Sequence, residues 1–162
     1  MRKIFGLLCF LLITILTTNL FAQSIEMRVL KRGIVGKLFV SDSLRGDDHE
    51  QTKVRYLGTL TSDNDQVYKI MSYCWIWNRG QRATSRILVY SSKNKYLGDY
   101  YVYIDELPIR ISNNKLVFSI LDHTTHKPMI YNVDFNKGIP KHIQIDDEMV
   151  FDDDVTLFSS GR

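Results

Sequence analysis

Gln66-Val67-Tyr68-Lys69-Ile70-Met71-Ser72-Tyr73-Cys74-Trp75-Ile76-Trp77 decides how the chain is read. The stretch is rich in strand-forming residues, and successive side chains of a strand point to opposite faces. Tyr68, Ile70, Cys74 and Ile76 then point one way, and Met71, Tyr73, Trp75 and Trp77 the other. Both faces are apolar, whereas an antiparallel strand with one wet face alternates apolar and polar residues. The stretch is therefore expected either to be a central strand covered on both sides, or to line a cavity or an exposed binding surface with one face.

The same two-residue period recurs outward from this strand. Further strands are expected over residues 25–30, 37–41, 53–60, 85–90, 96–104, 115–121, 129–135 and 142–145, with another at 155–158, and no stretch holds a helical period. Within 96–104, Tyr96, Tyr100, Val102 and Ile104 fall on one side and Leu97, Tyr101 and Tyr103 on the other. Asn, Asp and Gly, which tolerate left-handed backbone, punctuate the strands at 62–65, 78–80, 92–95, 112–114 and 136–138. Connections this short join antiparallel neighbours as hairpins. The polar segment 42–51 is the exception and reads as a mobile loop. The expected fold is all-β, an antiparallel meander of nine or ten strands forming a barrel-like or strongly bent sheet, with a β-sandwich as the alternative. Closure removes strand edges and covers both faces of 66–77.

Arg2-Lys3, an apolar run over 4–16 and the small residue Ala22 before Gln23 make the pattern of a secretory signal peptide over residues 1–22. Of 162 residues, 140 then remain as a single β domain over 23–162, expected in the periplasm or outside the cell. Losing Arg2 and Lys3 leaves 19 of the 21 basic residues against 18 acidic ones, a net of +1, so nucleic acid is not an expected partner. No later apolar run reaches the roughly 20 residues of a spanning helix. Nucleotide cofactors are cytosolic and no Gly-rich phosphate loop is present, so no cofactor is expected. Cys9 leaves with the signal, which deprives Cys74 of an intramolecular partner, and Cys74 reads as a buried thiol.

The aromatic stripe is the strongest candidate site. Tyr73, Trp75 and Trp77 on one strand, with Tyr101 and Tyr103 on a neighbour beyond one intervening strand, offer flat amphipathic rings to a small apolar ligand, a glycan or a protein partner. Alternate residues of a strand lie about 6.6 Å apart, so Tyr73 to Trp77 would span roughly 13 Å, enough for two or three sugar rings or one acyl chain. The competing reading has these rings filling a small core. His123 and His126, with Asp122, form the one metal-like cluster, and a zinc hydrolase is the rival function it suggests. The turn-like setting, with Pro128 close behind, does not aim two His side chains along one face as a helix does. No nucleophile elbow is present, and nothing pairs any two of Asp99, Asp105, Glu106 and Asp134 for glycoside chemistry. The chain therefore reads as a non-enzymatic binding domain, with a protein-interaction module such as an inhibitor as the alternative. Six acidic residues crowd the segment 146–154, which lacks the Gly of a calcium loop and reads as a solvated tail.

Overall fold

The structure is a computed structural model that describes residues 24–45, 48–77, 82–122, 124–144 and 150–152. Residues 1–22, His123, the strand expected at 155–158 and most of the acidic segment 146–154 lie outside the described residues.

One helix and ten strands are present among the described residues. The helix α1 (Ile25–Arg32) comes first. β1 (Leu38–Arg45), β2 (Asp48–Thr61), β3 (Val67–Trp77), β4 (Arg82–Ser91) and β5 (Tyr96–Val102) then form a five-stranded sheet in sequence order, each pair antiparallel. A short 3-10 helix (Ile104–Glu106) leads into a three-stranded antiparallel sheet of β6 (Arg110–Ser112), β7 (Lys115–Leu121) and β8 (Pro128–Asp134). β9 (His142–Gln144) pairs with β10 (Val150–Asp152). This is the expected meander. β1 and β5 are not paired with each other, so the sheet stays open instead of closing into a barrel.

β3 is the middle strand, and both of its apolar faces are covered. On one face Tyr68 and Ile70 join Leu57, Leu60, Ile87, Val89, Tyr100 and Val102 and pack against Leu116, Phe118 and Ile120 of β7, with Phe135 and Ile143. On the other face Met71 joins Val54, Tyr56, Leu88 and Tyr90 beneath Val29 and Leu30 of α1. The order of layers is helix, five-stranded sheet, three-stranded sheet. Each fully buried large apolar side chain in these two cores contributes about 1.5–3 kcal/mol. The sheets are also tied through backbone groups. Asn114 accepts from the Thr61 N–H and donates to the Thr61 carbonyl, both at 2.8 Å, and the buried Tyr100 hydroxyl donates to the Pro140 carbonyl.

Two bulges decide which residues reach which core. In β2 Tyr56 faces Met71 and Gly58 faces Ile70, so Leu57 is an inserted residue. The insertion reverses the parity beyond it, and Leu60 enters the two-sheet core while Val54 and Tyr56 stay under the helix. Gly58 has φ +124°, a conformation that side chains rarely adopt. In β5 Val89 faces Gly98 and Tyr90 faces Tyr96, so Leu97 is inserted. Tyr96 therefore shares the face of Tyr101, not that of Tyr100 as simple alternation suggests.

Residues 25–30 are helical, where a strand was expected. Ile25, Met27 and Val29 alternate with Glu26 and Arg28, but Ile25 and Val29 are also one helical turn apart. The Ser24 side chain caps the first turn by accepting from the Met27 N–H at 3.5 Å, and Gly33, at φ +62°, ends the helix. Glu26 in the first turn and Lys31 and Arg32 in the last suit the helix dipole. The polar segment 42–51, expected as a loop, is the β1–β2 hairpin apart from residues 46 and 47, which are not described. β6 was not expected, being only three residues long. The two-residue turn between β6 and β7 is Asn113-Asn114, both with positive φ (51° and 56°), the geometry that favours Asn in a tight hairpin. Among the described residues no helix is long and apolar enough to cross a membrane.

Candidate functional site

The helix-side face of the five-stranded sheet is only partly covered by α1. Running out from under the helix, cross-strand pairing sets Val54, Tyr73, Arg86 and Tyr101 in one row over β2, β3, β4 and β5. Thr52, Trp75 and Thr84 form the next row, and Trp77 pairs with Arg82. Residues directly opposite in antiparallel strands share a face, so Tyr73, Trp75, Trp77 and Tyr101 look out from one side of the sheet. Tyr103 follows just past the end of β5, where its backbone N–H donates to Glu106 at 3.0 Å.

These rings are neither sealed in the core nor lined up as separate steps. Trp75 and Trp77 are half-buried and stacked on each other, their ring centroids 4.6 Å apart and their planes 24° from parallel. Two indoles in face contact hide one face each, so the pair presents a single thick plate, shorter than the 13 Å ladder that backbone spacing suggests. Tyr101 and Tyr103 are 52% and 67% exposed and meet edge to face with centroids 6.5 Å apart.

Between Tyr73 and the helix lies a pocket of about 270 Å³ lined by Glu26, Tyr73, Arg86, Leu88, Tyr90, Tyr96 and Asp99. Asp99 faces Leu88 in the register, so its side chain enters the helix-side face of the sheet. It is 3% exposed, and Arg86 Nη1 lies 2.8 Å from its Oδ2. Its other oxygen, Oδ1, is buried and has no partner at full hydrogen-bond geometry, the Tyr96 hydroxyl being the other group that interacts with this carboxylate. Tyr90 and Tyr96 stand edge to face with centroids 5.5 Å apart. Burial pushes both phenols above their ordinary value; the charges of Glu26 and then Asp99 add to it at Tyr90, and the charge of Asp99 and a hydrogen bond to it add at Tyr96. Tyr73 is raised too, first by burial and then by the charge of Glu26. The walls are thus neutral hydroxyl-bearing rings around two carboxylates, Glu26 and Asp99, and the Arg86 guanidinium.

The aromatic stripe was legible from sequence, but Glu26, Arg86, Tyr90, Asp99 and Tyr96 were not. Asp99 stood in the sequence only as one of four carboxylates that nothing paired. Its partner was hidden because the pair runs diagonally across β4 and β5, and Tyr96 because the bulge at Leu97 reverses its face. The metal-like cluster fares differently. The Asp122 carboxylate holds its own turn, accepting from the Thr124 and Thr125 N–H groups at 3.0 and 2.5 Å and from the Thr125 hydroxyl at 2.8 Å. His126 is exposed with φ 53°, and His123 lies outside the described residues. Among the described residues no three His, Cys, Asp or Glu side chains gather as a metal site. No protein-family model, curated protein or solved structure matches the chain.

Proposed function

We propose that this chain is an exported, non-enzymatic glycan-binding domain that uses the helix-side face of the five-stranded sheet. The observation that carries the reading is the tyrosine-walled pocket around the Arg86–Asp99 pair, on the same face as the Trp75–Trp77 plate. Sugars present apolar C–H faces that stack on rings and hydroxyls that pair with carboxylates and guanidinium groups, and a site with buried polar partners rejects ligands that leave them unpaired. One sugar ring stacks on the indole plate or on Tyr101, while a neighbouring ring places hydroxyls against Asp99 and Arg86. The signal-like residues 1–22 support export.

Trp75 and Trp77 are the chain's two tryptophans, so intrinsic fluorescence reports on this face alone. Titration with soluble cello-, chito- and manno-oligosaccharides is expected to give a saturable shift with at least one of them, lost in Trp75→Ala and weakened in Tyr101→Ala, both variants remaining folded by circular dichroism. A flat response to the whole panel, or unfolding of Trp75→Ala, would remove this reading. A protein partner is the second reading, favoured by the exposed Tyr101 and Tyr103 rings in edge-to-face contact.

A further inference from the structure

The opposite face of the same sheet carries a second pocket, of about 250 Å³, at the end that the three-stranded sheet leaves uncovered. Its floor is Leu38, Lys53, Arg55, Ser72 and Cys74, and its wall is Ile104, Leu107, Pro108 and Ile109 from the connection between β5 and β6. The register sets Leu38, Arg55 and Ser72 in one row and Lys53 and Cys74 in the next. Two cations therefore stand on the face whose other residues form the two-sheet core. Among the described residues neither Lys53 nor Arg55 has an acidic partner, and Arg55 Nε is buried without a hydrogen bond. No carboxylate lines the pocket, while Leu38, Ile104 and Ile109 leave apolar surface exposed at its rim.

We infer that this pocket binds a small amphipathic anion, a medium-chain carboxylate, with its head group on Lys53 and Arg55 and its apolar body against Ile104, Leu107, Pro108 and Ile109. Positive charge with no counter-ion favours an anionic head, and charge-assisted hydrogen bonds to it are the stronger kind. The apolar wall favours a hydrocarbon body over a bare inorganic ion. Ser72 supplies a hydroxyl beside Arg55 for the same head group. This site lies across the sheet from Asp99 and stands or falls independently of the glycan reading. The competing account is that both cations merely rest their stems on apolar surface and hold their charges in water.

Calorimetric titration of the full mature chain separates the two accounts, using octanoate, octylammonium and acetate. Octanoate is expected to bind one per chain, with octylammonium and acetate each at least about tenfold weaker. Arg55→Gln and Lys53→Gln should each weaken octanoate by about tenfold or more, while Lys95→Gln, which removes an exposed charge elsewhere, should leave it unchanged. Equal binding of octanoate and octylammonium would overturn the charge assignment, and acetate binding as tightly as octanoate would overturn the apolar one. Octanoate binding that survives both substitutions would overturn the site. Should Arg55→Gln fail to fold by circular dichroism, Lys53→Gln decides alone.

Discussion

Arg86 Nη1 and Asp99 Oδ2 lie 2.8 Å apart, joining β4 to β5 diagonally on the helix-side face of the sheet, with Asp99 buried and Arg86 about a third exposed. Removing the cation leaves a buried carboxylate without its charged partner, with the Tyr96 hydroxyl still beside it. Arg86→Met is expected to cost about 2–3 kcal/mol, below the 3–5 typical of a fully buried pair because water reaches the Arg86 side. Urea unfolding measures it, and adding Asp99→Asn to Arg86→Met should restore part of the loss. A purely additive double variant would show that the pair is not coupled.

Alkaline pH should destabilise the protein through its buried phenols. Tyr90 and Tyr96 are raised above the ordinary phenol value of 10.0, chiefly by burial. Above that value the unfolded chain loses these protons while the folded chain keeps them, so ionisation favours unfolding. Their contribution is fully present below pH 10.0 and is lost as pH climbs toward the raised folded values. The urea midpoint should therefore fall above pH 10, and fall less steeply in Tyr96→Phe, with tyrosinate absorbance reporting the ionisation itself.

Gly58 is expected to resist substitution because of backbone geometry, not space. A Cβ there would meet Ile111 Cδ1 at 3.7 Å, an ordinary contact, but φ is +124°. Gly58→Ala should cost about 1–3 kcal/mol by thermal or urea unfolding. A neutral outcome would mean that the bulge at Leu57 relaxes without it.

Asn114 holds two jobs, a positive-φ turn position and a two-way bridge to the Thr61 backbone. Asn114→Gly keeps the first and deletes the second, so its cost isolates the bridge. About 1 kcal/mol is expected, since both bonds are exposed to water. Asn113→Gly should stay within about 0.5 kcal/mol, because the turn geometry suits glycine equally.

Most of the strands and their antiparallel order were legible in the sequence, because a two-residue period is a local property and Asn, Asp and Gly mark its turns. The two apolar faces of 66–77 left a covered central strand and a cavity or binding face both open, and the aromatic stripe followed from parity alone. The identity of the covers was another matter. Residues 25–30 satisfy both periods, and only packing of Val29 and Leu30 onto Met71 and Leu88 resolves them as a helix. Tertiary structure also decided the polar half of the site. Single inserted residues at Leu57 and Leu97 reverse every face beyond them, and nothing local announces which residue a pairing strand will skip. Asp99 meets Arg86, and Tyr96 meets Tyr90, only after that skip has set the register. The indoles of Trp75 and Trp77 likewise close to 4.6 Å by leaning together, a side-chain choice that backbone spacing does not contain.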